Sequence, residues 1–215
     1  MAKLWRSAIM TALILGKSKR KGYLYPMIII VPYDPRWPAE FATIRATLRT
    51  ALGDLALRID HIGSTAVPDL AAKDRIDIQI TVRALTDEVE EALGRYGYQR
   101  SLRLTRDHRP PTVEGPDSDW EKWFFNPSEE QRSTNVHVRV AGRANQRYAL
   151  LCRDYLRTHP LAAQAYGQVK KALARYHADN IDAYYDIKDP VFDIIMAGAE
   201  EWAQSVQWQP MQDEV

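Results

Sequence analysis

Along residues 75–82 apolar and polar side chains alternate without a break. Ile76, Ile78, Ile80 and Val82 fall on one side of an extended chain, and Asp77, Gln79 and Thr81 fall on the other. A period of two marks a strand with one face in the core, so Asp77 is expected on a face that meets something polar. Residues 55–62 alternate well enough for a second strand, which Gly63-Ser64-Thr65 breaks. Ahead of it, Phe41, Ile44, Leu48 and Leu52 recur at helical spacing, with Glu40, Arg45 and Arg49 off the stripe. Gly53 is the stop signal of that helix. A short helical stretch is expected over 67–72. Thr86, followed by Asp87 and Glu88, reads as an N-cap with an acidic first turn, and Gly97 closes that helix.

Two more strands are expected at 120–125 and 135–140, joined by a polar turn at 128–133. The segment 107–119 carries three prolines and a glycine, which predicts an irregular, exposed loop. From residue 145 onward the period is helical. It predicts helices at 145–157, 161–177 and 190–204, with Pro190 in the first turn of the last. Together these elements give an α+β fold: a small mixed sheet with flanking helices, followed by a helical C-terminal part.

Composition narrows the function classes. The chain has 215 residues, and 29 Lys and Arg stand against 28 Asp and Glu, so no global charge draws it to nucleic acid or to an anionic membrane. One cysteine, Cys152, excludes an intramolecular disulfide framework and a thiolate metal cluster. Residues 1–27 read as a basic and apolar extension, flexible or helical, and 207–215 as a tail around a domain at 28–206. The apolar run at 8–15 is too short for a bilayer, which needs roughly 20 residues, and no cleavage signature follows it. Gly16-Lys17-Ser18 looks like the end of a phosphate-binding loop, but the glycine needed five residues earlier is Thr11. No chemistry is expected before Met27, which is itself a possible start of translation. The expected location is cytoplasmic, with no membrane contact and no sequence-specific nucleic-acid partner.

The chemistry concentrates at Asp60-His61-Ile62-Gly63-Ser64-Thr65 and at Asp77. A strand that ends in Gly-Ser exposes backbone N–H groups and hydroxyls, an anion site. A carboxylate on the next strand facing that turn is a natural place for a divalent cation bridging to phosphate. The plain alternative is a tight turn beside a solvated Asp.

These residues resemble the GrpB family, placed in the nucleotidyltransferase superfamily. Ile62-Gly63-Ser64 and Asp77-Ile78-Gln79-Ile80 fall on the superfamily pattern of Gly-Ser, a gap, then a strand with acidic residues. The likeness extends through Val31-Pro32-Tyr33-Asp34-Pro35-Arg36-Trp37-Pro38, His61 to Pro68, Ala71-Ala72-Lys73, His137-Val138, Arg153-Asp154-Tyr155-Leu156-Arg157 and the stretch from Tyr184 to Lys188. It spans about residues 28–204.

The resemblance implies a nucleotidyltransferase-like fold and, in its active form, a transferase joining a nucleoside triphosphate to a small-molecule acceptor with a divalent metal, Mg²⁺ or Mn²⁺. The implied roles are Asp77, His61 and Asp60 for catalysis, and Asp77 with His137 for the metal. Phosphate would fall to Gly63, Ser64, Thr65, Lys73, Arg153, Arg157 and Lys188. In some bacteria the domain is fused behind dephospho-CoA kinase. Two features depart from the superfamily pattern: Gln79 stands at the second acidic position, and Asn135, His137 and Arg139 on the later strand include no carboxylate. They favour a second reading, a non-catalytic nucleotide- or coenzyme-A-related binding module. A third is an interaction protein that recruits a partner through its basic extension.

Overall fold

The computed structural model describes residues 17–20, 23–111 and 113–211. The apolar run at 8–15 and the last four residues of the tail lie outside them. Strands β1 (Lys17–Arg20) and β2 (Tyr23–Pro26) pair antiparallel, where a flexible or helical segment was expected. Tyr23 and Tyr25 are residues that favour extended chain. Next come α1 (Trp37–Leu52), β3 (Ala56–Ile62), β4 (Ile76–Val82), α2 (Asp87–Arg95), β5 (Gln99–Arg100), β6 (Trp123–Asn126) and β7 (Thr134–Val140). Three helices finish the chain: α3 (Ala144–Thr158), α4 (Pro160–Tyr176) and α5 (Ile181–Ser205).

The central sheet has the order β3-β4-β7-β6-β5, parallel only between β4 and β7. One face packs on α1 and α2, where Trp37, Phe41, Leu48, Ile76, Ile78, Ile80, Leu93 and Phe125 form the main core. Deleting one such buried side chain typically costs about 2–5 kcal/mol. The other face, carrying Asp77 and Gln79 opposite Asn135 and His137, turns toward the helical part. There α3, α4 and α5 build a second core with Val67 and Leu70. The expected α+β architecture, a small mixed sheet, flanking helices and a helical C-terminal part, is the one observed. Among the described residues no helix is long and apolar enough to cross a membrane.

Four expectations need correction. Residues 67–72 are not helical: a single 3₁₀ turn spans Ser64–Ala66, and Val67 is extended at φ −108° and ψ 116°. Val67 precedes Pro68, whose ring pushes its neighbour out of the helical region. Ala72 then bridges back to Val31. The strand expected at 120 begins at Trp123, because Asp117–Trp120 forms a 3₁₀ turn. The two-residue β5 is too short to show any period. The last helix starts at Ile181, capped by the Asn180 side chain accepting from the Ala183 N–H at 3.1 Å. Pro190 therefore lies inside α5 and not in its first turn, at the loss of one helical hydrogen bond.

Candidate functional site

A cleft of about 680 Å³ opens between the polar sheet face and the helices. Seven Lys or Arg side chains line it against three Asp. With a chain net charge of only +1, that positive excess is local, and it suits an anionic ligand.

The floor is the turn that joins β3 to β4 through Gly63 and Ser64. Gly63 has φ 69°, and a Cβ there would lie 2.5 Å from Asp77 Oδ2. Only glycine lets the turn lie flat against the carboxylate. Ser64 Oγ accepts a hydrogen bond from Lys170 Nζ at 2.7 Å. Lys170 projects from α4, is 3% exposed and sits 4.5 Å above the Tyr166 ring. Burial, followed by the nearby Lys188 charge, pushes its ammonium down to about 7. Lys73 lies 4.5 Å from the Tyr184 ring and 5.1 Å from the Tyr185 ring. Burial and the charges of Lys188 and Arg75 push it down to about 8. Lys188 reaches the same Tyr185 ring at 5.3 Å and pairs with Asp189 at 2.9 Å. Three lysines from three segments thus line the same cleft as the turn.

Asp77 accepts from Asn135 Nδ2 at 2.7 Å, and His137 Nε2 is 3.8 Å away. Burial opposes its charge, yet His137 and Asn135 hold its carboxyl below the ordinary range. His137 is the reverse case. Burial and the charges of Lys122 and Arg139 push it down to about 4, so the ring is neutral at pH 7. Its Nδ1 faces two donors, Lys122 Nζ at 3.2 Å and Arg139 Nη2 at 3.4 Å. Nδ1 must therefore accept, which places the ring proton on Nε2, toward Asp77. Asp107, the first residue of the irregular loop, is drawn in against expectation. It accepts from Lys122, from Arg139 through Nε and Nη2, and from Asn145 at 2.6–3.1 Å. Its carboxyl is held well below the ordinary range by Arg139 and Lys122, against the cost of burial.

The donor set does not fit a pair of divalent ions. Gln79 is buried, its Oε1 accepting from Arg139 Nη1 at 2.6 Å and its Nε2 donating to the Gln146 carbonyl at 3.1 Å. His137 cannot lend the lone pair of Nε2 without moving its proton to a nitrogen that faces two cations. Asp107 is already matched by Lys122 and Arg139. Among the described residues no three His, Cys, Asp or Glu side chains are grouped to hold a metal.

Of the residues expected to serve, Gly63, Ser64, Thr65, Lys73, Asp77, His137 and Lys188 line the cleft. Asp60 and His61 do not. Asp60 is bound to Arg58, and His61 stacks on Phe41 at 4.7 Å while its Nε2 meets Thr65 Oγ1 at 2.9 Å. Of the two, the His61 ring braces the turn through Thr65. Arg153 borders the cleft, but its guanidinium donates to Asp154, to the His61 carbonyl and to the Met211 carbonyl. Arg157 donates to the Ala66 carbonyl at 2.8 Å and lies outside the lining. Sequence reasoning missed Lys170. Its signal was there, since Ala163, Tyr166, Lys170 and Leu173 share the buried stripe of α4, and a lysine on such a stripe needs a partner.

Comparison with known proteins adds the following. Residues 27–197 match the family described as GrpB protein. A dephospho-CoA kinase of Mycolicibacterium paratuberculosis is 43% identical over 84% of this chain and 48% of its own length. The chain thus spans about half the length of such relatives. The UPF0157 protein BH1888 of Halalkalibacterium halodurans is 32% identical over 80% of this chain and 82% of that protein. The crystal structure of the conserved protein GrpB from Enterococcus faecalis superposes with a TM-score of 0.66 at 30% identity, covering 81% of this chain and 99% of that one.

Proposed function

The chain belongs to the GrpB family, and we propose that its cleft binds a nucleotide- or coenzyme-A-related phosphate compound through the chain's own cations, not through a pair of divalent ions. The observation that carries this reading is the company of Asp77. The positions beside it hold Gln79 bonded to Arg139, and a neutral His137 whose Nδ1 accepts from Lys122 and Arg139. Fixed cations repel a hard metal pair and can meet a phosphate directly.

In this reading Ser64 and Lys170 take one phosphate, Lys73 and Lys188 take the next, and the rings of Tyr184 and Tyr185 border the organic part. The relatives that carry the name dephospho-CoA kinase support a ligand of the coenzyme A type, since one half of their length matches this chain. A phosphate entering the turn restores full charge to Lys170 and Lys73, so their buried amines become an asset only in the complex.

A second reading, transfer from a nucleoside triphosphate to a small-molecule acceptor, is favoured by one observation: an ionised Asp77 directly against the Gly63 turn. The two separate on a thermal-shift panel of ATP, GTP, CTP, UTP and coenzyme A precursors, each with Mg²⁺, Mn²⁺ or a chelator. Ligand at a hundredfold over its Kd should add about 2.7 kcal/mol of stability. Shifts that survive the chelator support the binding reading. Shifts that need metal and vanish in Asp77→Ala support the transferase.

A further inference from the structure

Behind the turn lies a second polar cluster that the cleft does not use. Arg58 on β3 donates from Nε to both oxygens of Asp60, at 2.8 and 2.7 Å. Arg153 on α3 donates from Nε to Asp154 Oδ1 at 2.7 Å, and its Nη1 is 3.7 Å from Asp60 Oδ1. Asp60, Arg153 and Asp154 are all buried. Burying such groups is costly unless further hydrogen bonds match them, and here residues 208–211 supply part of the match.

After α5 the backbone reverses at Gln207, a non-glycine residue at φ 50°, a region that side chains disfavour. The Trp208 indole Nε1 and the Met211 N–H then both donate to Asp154 Oδ2, at 3.1 and 3.0 Å. The Met211 carbonyl accepts from Arg153 Nη2 at 2.8 Å and also from Arg58 Nη2. Arg147 lies over the Trp208 ring at 5.5 Å. The segment is thus held by one indole and by main-chain groups, while the Met211 side chain stays partly exposed.

The same Arg153 reaches the functional turn. Its Nη1 donates to the His61 carbonyl at 3.1 Å, two residues before Gly63, and the His61 ring bonds Thr65 on the other side of the turn. We infer that residues 208–211 form a strap whose docking on Arg58, Arg153 and Asp154 holds the Gly63–Ser64 turn in place, so that strap docking and ligand binding in the cleft reinforce each other. Released from the strap, Asp154 Oδ2 loses two donors and Arg153 Nη2 loses an acceptor. With one acceptor fewer, Arg153 is held less firmly, and its hold on the His61 carbonyl weakens. The coupling is reciprocal by linkage: whatever steadies the turn also steadies the strap. Its ligand half rests on the cleft reading above; its strap half does not.

Hydrogen exchange on the full chain tests it, with Trp208→Phe removing the indole donor along with part of the ring, and Met211→Pro removing the main-chain donor along with the Met side chain. The amides of Ala66 and Val67, which bond to the Gly63 and Ser64 carbonyls, should exchange about tenfold faster in both variants, with β7 unchanged. Inorganic tripolyphosphate bound to the wild type should in turn slow exchange at 206–211. Unchanged rates at Ala66 and Val67 in both variants would overturn the strap, as would equal acceleration at β7, the mark of global loosening. If the wild type binds no tripolyphosphate, the cleft reading fails, and the comparison of variants still decides the strap.

Discussion

Lys170 Nζ and Ser64 Oγ stand 2.7 Å apart, joining a helix of the C-terminal part to the turn that ends β3. The contact puts a buried ammonium on the floor of a cleft that lacks the acidic set for a metal pair. In the proposed reading this lysine stands in for the ion that such a turn is expected to share with a carboxylate.

Lys170→Met separates binding from stability. Charge-assisted hydrogen bonds are worth about 1.5–3 kcal/mol, so the Kd for ATP should rise by roughly 10- to 150-fold. A methionine fills similar space without a desolvated charge, so Tm should stay level or rise. Calorimetry and a thermal melt on the same preparation check both.

The pH dependence has two opposite signs. Lys170 titrates at about 7 and Lys73 at about 8 in the fold, both below the ordinary lysine value of about 10.4. Between the folded and unfolded values the unfolded chain binds more protons, so these lysines make the free protein more stable as pH rises from about 7 to 10. That contribution disappears as pH falls through the folded values. Anion affinity runs the other way, tightening as pH falls from about 9 to 7. Binding at pH 8 should take up protons, visible as a calorimetric heat that changes with the ionisation enthalpy of the buffer.

Gly63→Ala should displace Asp77. The left-handed φ alone costs about 1–2 kcal/mol, and the new methyl would overlap Asp77 Oδ2. A Tm lower by several degrees, together with a changed chemical shift of the His137 ring, is the expected result.

Much of this fold was legible because its elements announce themselves by period. The alternation around Asp77 predicted β4 and its polar face, and the stripe from Phe41 to Leu52 predicted α1. What escaped were features without a period: β5 with two residues, the extended Val67 forced by Pro68, and an α5 that runs through Pro190. The site divides in the same way. Gly63, Ser64 and Asp77 could be read because they sit on or beside one pair of neighbouring strands, β3 and β4, within fifteen residues of each other. Lys122, Asp107 and Asn145 come together only through the fold, from segments that carry no shared motif. Asp60, His61 and Arg153 carried the right chemistry for the cleft, but Asp60 is taken up by Arg58, His61 stacks on Phe41 and Arg153 is bonded to Asp154 and Met211, a distinction that tertiary packing makes and local pattern does not.

Gln79→Glu tests why the second acidic position is an amide. A carboxylate there keeps its contact with Arg139 but turns an oxygen toward the Gln146 carbonyl, where the Nε2 donor now sits at 3.1 Å. Urea unfolding should show a loss of about 1–3 kcal/mol, and calorimetry with Mn²⁺ should show no binding gained.

The most direct test of the central claim is titration calorimetry of the full chain with ATP and with inorganic tripolyphosphate, in excess chelator and in Mg²⁺. A cleft that works through Lys170, Lys73 and Lys188 binds both ligands in chelator, with Kd values no weaker than in Mg²⁺. Heat that appears only when the metal is present, and is lost in Asp77→Ala, would contradict it.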